Sequence, residues 1–300
     1  MSIPLQKYSH AKPSGNLPMK RIDAHHHLWR YHADEFGWIG DEMAVLRRDF
    51  LVDELRREML SAGIDGAVAV QARESLEETC WLLECAQSAP FLRGVVGWVP
   101  LEANNLQEIL SRFQNADKLV GFREIVQGKP DEYLDRAAFN RGIKHLTELN
   151  FTYDILIHER QLLEAIRFVD QHPNQIFVLD HAAKPKIAMN ELEPWKTHIY
   201  EIARRPNVSC KLSGLVTEAY WQAWTPESLQ PYFDICVDAF GTNRLLAGSD
   251  WPVCLVACTY SRWWDLLVQY FAGFSENEVQ HIFGENAMAI YRLAPFECHS

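Results

Sequence analysis

Eight short apolar runs, each followed by a longer stretch with helical spacing, constrain this chain more than any other feature of its sequence. The runs are Arg21–His27, Ala67–Ala72, Gly94–Val99, Leu119–Val126, Phe151–His158, Ile176–His181, Val208–Ser213 and Leu245–Asp250. Several are apolar at both parities, as in Ala67, Val68, Ala69, Val70 and in Ile176, Phe177, Val178, Leu179. A strand covered on both faces has this pattern, and parallel sheets are covered on both faces. Between the runs, apolar residues recur every three or four positions. Leu51, Leu55 and Met59 share a helical face ahead of Gly63, and Leu162, Leu163, Ile166 and Val169 share one ahead of Pro173. Asp49 and Ser75 are candidate N-caps, and Gly63 a candidate helix stop. Val279, Ile282 and Phe283 precede Gly284, and Ala287, Ile290 and Tyr291 follow it, which predicts two short helices with a break between them.

Eight β-then-α units without a strong internal repeat predict an α/β fold, a single (β/α)8 TIM-type barrel. The domain expected is 1–300, with 1–19 a polar N-terminal extension; 300 residues are enough for such a barrel, which takes about 250. An open doubly wound sheet is the competing arrangement. It would more usually carry a glycine-rich phosphate turn after the first strand, and here the first strand ends in histidines. The chain has no P-loop, no G-x-G-x-x-G and no G-x-S-x-G. Longer insertions at 28–48, 127–150, 183–206 and 214–243 follow strands one, four, six and seven, on the side where a barrel builds its catalytic face.

The net charge of −11 argues against nucleic acid and against an anionic membrane surface, because both need a basic footprint. No stretch approaches the ~20 apolar residues that span a bilayer, and no apolar leader opens the chain, so a cytoplasmic location is expected. The seven cysteines are scattered and form no C-x-x-C; Cys254 and Cys258 are four apart without a counterpart pair. Free thiols in a reducing compartment follow. A homo-oligomer is compatible with all of this.

Chemistry concentrates at three strand ends. The first strand reads Asp23-Ala24-His25-His26-His27, and alternation points His25 and His27 one way and His26 the other. Two imidazoles about 6–7 Å apart along a strand can converge on one ion or one substrate oxygen. The sixth ends in Asp180-His181, the eighth in Gly248-Ser249-Asp250. Taken singly, each has a plain reading: a histidine cluster, a surface histidine, a capping aspartate. Together they bring imidazoles and a carboxylate to one face, which is what activating a water requires.

The motifs in order are I-D-A-H-H-H-L-W at 22–29, V-Q-A at 70–72, E-E-T-C-W at 77–81 and G-F-R-E-I-V-Q at 121–127. They continue with L-D-H-A-A-K-P at 179–185, K-L-S-G-L at 211–215, G-S-D-W-P-V at 248–253 and I-F-G-E-N-A at 282–287. In this the chain resembles the amidohydrolase superfamily, and within it the amidohydrolase-2 type lactonase branch with its L-fuconolactonase-like, L-rhamnonolactonase-like and pyrone-dicarboxylate lactonase members. The resemblance covers nearly the whole chain. It implies that His25, His27 and His181 polarise a carbonyl or hold a metal, that Asp250 is the water-activating base and a further metal ligand, and that Arg123 holds substrate. Binuclear members of the superfamily carry a lysine or glutamate on strand four and a histidine on strand five. Here strand four offers Glu124, of opposite parity to Arg123, and strand five offers His158. The branch resembles a one-metal or metal-independent design, so either one divalent ion, zinc by preference, or none is implied, and His158 becomes a substrate contact.

Trp29 and Trp251 directly follow the site motifs and are candidates to stack on a sugar face; packing of the barrel rim is the equal alternative. Gln71 is a candidate for sugar hydroxyls, as is Glu74, which has the alternative of charging a helix N-terminus. Lys184 and Lys211 fall at rim positions and read as solvated. The expected function is hydrolysis of a small sugar-acid lactone. A zinc-dependent decarboxylase or amide hydrolase of the same superfamily is the second reading, and a non-catalytic binding protein the third.

Overall fold

The structure is a computed structural model that describes residues 20–296; the polar extension at 1–19 lies outside the described residues. Eight strands form one parallel sheet in the order β1 to β8. They are β1 (Ile22–His26), β2 (Gly66–Val70), β3 (Leu92–Gly97), β4 (Leu119–Glu124), β5 (Thr152–Ile155), β6 (Phe177–Leu179), β7 (Val208–Leu212) and β8 (Leu245–Ala247). A parallel bridge between His26 and Trp251 brings the last strand back to the first. This is the (β/α)8 barrel.

Helices α1 (Val52–Ala62), α2 (Leu76–Ser88), α3 (Leu106–Ser111), α4 (Ala137–Glu148), α5 (Leu162–Gln171), α6 (Trp195–Ala203), α7 (Pro226–Phe240) and α8 (Tyr260–Tyr270) lie between and after the strands. Ser75 caps α2 by accepting from Glu78 N–H, and Gly63 ends α1 with φ +68°. Asp49 is not a cap. The N-cap of α1 is Leu51, and the Asp49 carboxylate instead accepts from Tyr31 N–H. The expected break at Gly284 is also absent: α9 (Glu276–Gln280) runs through a π-helical turn at His281–Glu285 into α10 (Asn286–Ile290). Gly284 is there because a Cβ would lie 2.2 Å from the Lys20 carbonyl. It allows the helix to pass tightly beneath the entrance to β1.

The larger apolar cluster lies between the barrel wall and the helices. A smaller one, including Ile22, Ala24, Val68, Val70, Val178 and Leu246, fills the barrel axis and is plugged by Ala287, Tyr291 and Leu293 from the C-terminal end of the chain. Ile22 and Ala24 thus face the interior, and strict alternation would aim His26 inward after them. The β1–β2 register carries one extra residue between Asp23 and His26. That bulge reverses the parity and turns His25 and His27 inward.

His172, at the end of α5, is buried with Nε2 2.6 Å from Asn140 Oδ1. Burial, helped by Lys144, lowers its pKa from 6.5 to about 4. The unfolded chain takes up this proton first, so the stabilisation is present above pH 6.5 and is lost as pH falls toward 4. Between pH 7 and pH 5 in urea, the wild type should lose about 1 kcal/mol more than His172→Gln. Equal losses would show that His172 does not titrate this way.

Candidate active site

His25, His27, His181 and Asp250 meet at the carboxyl end of the barrel. His25 Nε2 lies 3.2 Å from His27 Nε2 and 3.7 Å from Asp250 Oδ1. Asp250 Oδ1 is 3.3 Å from His27 Nε2 and 3.9 Å from His181 Nε2. His181 and Asp250 are not on strands, because β6 ends at Leu179 and β8 at Ala247. His181, Ala182, Ala183 and Lys184 all have φ between +48° and +59°, and Asp250 has φ +57°. Left-handed backbone leaves the ladder, and this lifts both side chains over the barrel mouth. Gly214, at φ +65°, leaves the space they need: a Cβ there would stand 2.5 Å from His181 Nδ1 and 3.0 Å from Asp250 Oδ2.

The outer ring nitrogens have defined partners. His27 Nδ1 is 2.8 Å from the Val70 carbonyl, which only accepts, so Nδ1 carries a proton and Nε2 faces the centre. His25 Nδ1 lies between an acceptor, Asp180 Oδ1 at 3.3 Å, and a donor, Lys211 Nζ at 3.2 Å. His181 Nδ1 meets Ser213 Oγ at 2.9 Å. Burial first of all, with Lys211 and His181 adding to it against Asp180, holds His25 well below the usual imidazole range. Burial likewise brings His181 to about 4. Both rings are neutral at pH 7. Burial pushes the Asp250 carboxyl upward, but His181, His27 and Lys184 outweigh it and its pKa falls below 3.8.

Bare imidazole nitrogens 3.2 Å apart beside an ionised carboxylate repel one another unless a proton, water hydrogens or a cation lies between them. One donor atom each from His25, His181 and Asp250 lies within 4.8 Å of the others. An N,N,O set with a hydrogen-bonded histidine behind it fits a single catalytic zinc. A second ion has no support from strand four. Glu124 turns away to Trp98 Nε1 at 3.0 Å and Lys129 at 3.1 Å, and burial beside Glu74 pushes its pKa up to about 8. Glu74 is itself engaged with Lys129 at 2.8 Å.

Above this centre is a cavity of about 390 Å³, within the range of small-ligand sites. His27, Arg123, His158, His181 and Asp250 line it. Burial, with Lys184 nearby, lowers the pKa of half-buried His158. Other sequence candidates lie elsewhere. Trp29 is buried against Phe36 and Phe50, with Nε1 on the Arg48 carbonyl. Trp251 is buried edge-on to Phe50. Both are wall packing and neither lines the cavity. Gln71 is fully buried, donates from Nε2 to the Arg123 carbonyl, and accepts Arg123 Nη2 on its own backbone oxygen. It braces Arg123 and is not among the residues that line the cavity.

Lys211 corrects the solvated reading most sharply. It is fully buried inside the barrel, with Nζ 2.6 Å from Asp154, 3.0 Å from Asp180 and 3.2 Å from His25 Nδ1. Asp180 also takes Arg123 Nη1 at 3.0 Å, and Asp154 takes the Tyr291 hydroxyl. Two cations and two anions therefore form a neutral buried network under the histidines. Asp154 and Asp180 were not legible as site residues. For Lys211 the available signal was alternation: Ser209 and Lys211 on β7 and Ser213 just after it put polar side chains at every second place.

Residues 22–293 match the amidohydrolase family. The chain is 39% identical over 285 residues to an L-fucono-1,5-lactonase of Burkholderia multivorans, covering 91% of this chain and 96% of the relative. It is 33% identical over 280 residues to an L-fucono-1,5-lactonase of Burkholderia ambifaria, with the same coverage. Among solved structures, an amidohydrolase from Burkholderia multivorans with bound zinc superimposes with a TM-score of 0.89 at 39% identity, over 92% of this chain and 100% of that one.

Proposed function

This chain belongs to the amidohydrolase family, and from that premise we propose that it is a lactonase, a hydrolase that opens sugar-acid lactones by attack of water. The observation that carries the reading is an ionised, buried Asp250 carboxylate at the foot of the cavity, 3.3 Å from the inward nitrogen of His27.

A lactone is an activated ester, so its carbonyl needs less polarisation than an amide. Asp250 takes a proton from water as the water attacks, and returns it to the ring oxygen as the ring opens. General base help of this kind contributes about 10²–10⁴-fold. Arg123 lines the cavity and brings its guanidinium to the wall, where it can hold a substrate oxygen. Asp180 and the Gln71 carbonyl fix its plane. His25, His27 and His181 present nitrogens to the reacting carbonyl region, and His158 stands farther up the wall as a hydroxyl partner. One divalent ion such as zinc, when held by His25, His181 and Asp250, supplies a Lewis acid for the carbonyl and a more acidic water.

No described helix is long and apolar enough to cross a membrane. A cytoplasmic location is supported by six free cysteines among the described residues. All cavity residues come from one barrel, which supports reading the chain as one domain.

The test is a pH-indicator screen of the purified enzyme over aldonolactones, with hydroxylated aromatic acids monitored for carbon dioxide release. We expect hydrolysis of six-carbon aldonolactones with kcat/KM of at least about 10⁴ M⁻¹s⁻¹. Inertness towards all lactones, or decarboxylation instead, would overturn the proposal.

A further inference from the structure

The cavity wall is divided. The loops after β8 and β1 supply apolar side chains, Trp38, Met43 and Val253. The loops after β6 and β7 supply Lys184, Thr217 and Glu218, with Trp221 beside them. Because β8 closes on β1, these groups belong to different arcs of the mouth.

On the polar arc, Lys184 Nζ and Glu218 Oε1 are 3.7 Å apart. That is beyond ordinary hydrogen-bond length. Neither head group makes a hydrogen bond to another described residue, although their side chains are only 18% and 23% exposed. Elsewhere on the wall of the same cavity, after β4, Gln127 Oε1 is buried without a partner. Groups sheltered from water and left short of partners are costly unless something else completes them.

We infer that Lys184 and Glu218 are specificity-determining residues that read two adjacent hydroxyls of the lactone ring. The inference rests on the lactonase reading. Each sugar hydroxyl is both donor and acceptor. A cation that only donates, beside an anion that only accepts, matches a vicinal diol with one bond to each oxygen. The 3.7 Å gap admits this, since the diol bridges the pair without having to break an existing hydrogen bond. Both residues are held by short connections. Lys184 closes the left-handed turn that begins at His181, and Glu218 ends the 3₁₀ turn Leu215–Glu218 that follows Gly214. Recognition is therefore anchored directly to the reacting centre.

The test compares L-fucono-1,5-lactone with δ-valerolactone, which has no ring hydroxyl, for the wild type, Lys184→Met and Glu218→Gln. Thermal unfolding of each variant reports folding, and Glu218→Gln keeps the shape of its side chain. Losing a charged partner for a buried hydroxyl should cost kcat/KM about 100-fold on the sugar lactone. The loss should exceed that on δ-valerolactone by at least about 30-fold in both variants. Equal losses on the two substrates, or no loss on the sugar lactone, would overturn the inference while leaving the lactonase reading in place. A wild type inert on every lactone overturns that reading, and the inference falls with it.

Discussion

Asp250→Asn is expected to lower kcat by about 10³-fold at pH 7 while KM changes little. The amide keeps the volume of the carboxylate but cannot take a proton from water, so the attack loses its base. Arg123 and the cavity wall are untouched, which leaves binding in place. The wild-type pH profile has a definite sign. Burial raises the Asp250 pKa, and His181, His27 and Lys184 lower it by more. The base is therefore ionised across the neutral and mildly acidic range, and activity should hold through neutral pH with its Asp250 limb on the far acid side. A kcat loss of less than about tenfold, or ~1.4 kcal/mol of barrier, would give the role to another group, and His181 is next.

Lys211→Met should be the most destabilising single change in the barrel, by about 3–5 kcal/mol. The methionine fills much the same volume but leaves Asp154 and Asp180 facing each other without the ammonium between them. Both carboxylates are fully buried, so water cannot replace the lost charge. For a chain of this size the expected shift is about 5–8 °C in Tm. Calorimetry at pH 7 measures it. A loss below about 1 kcal/mol would mean that the two carboxyls share protons in the folded state and do not depend on Lys211.

The barrel was legible because parallel strands buried on both faces leave continuous apolar runs, as at Val68–Val70 and Phe177–Leu179. The ends of those runs were less so. The sequence extends the sixth strand to His181 and the eighth to Asp250, whereas the sheet stops at Leu179 and Ala247. Residue type does not reveal a left-handed backbone when no glycine marks it. The convergence of His25 and His27 follows from alternation, but the bulge that aims them inward leaves no mark in residue identities. Trp29 and Trp251 were ambiguous for another reason, since an aromatic ring suits a sugar face and a packed wall equally well. Lys211 defied its usual preference for water, and only the parity of β7 pointed to its place.

The turn His181–Lys184 has a consequence of its own. Four successive L-residues there hold a hand that ordinarily costs roughly 1–2 kcal/mol each. None is glycine, and Ala182 and Ala183 are completely enclosed, with the Ala182 carbonyl held by the Trp195 indole. Their surroundings keep the turn cocked, and it cannot yield at one residue alone. It carries a reacting-centre imidazole at one end and a cavity-lining ammonium at the other. Any change that lets it spring back moves both at once, so on this scaffold turnover and substrate preference should drift together and not evolve as separate traits.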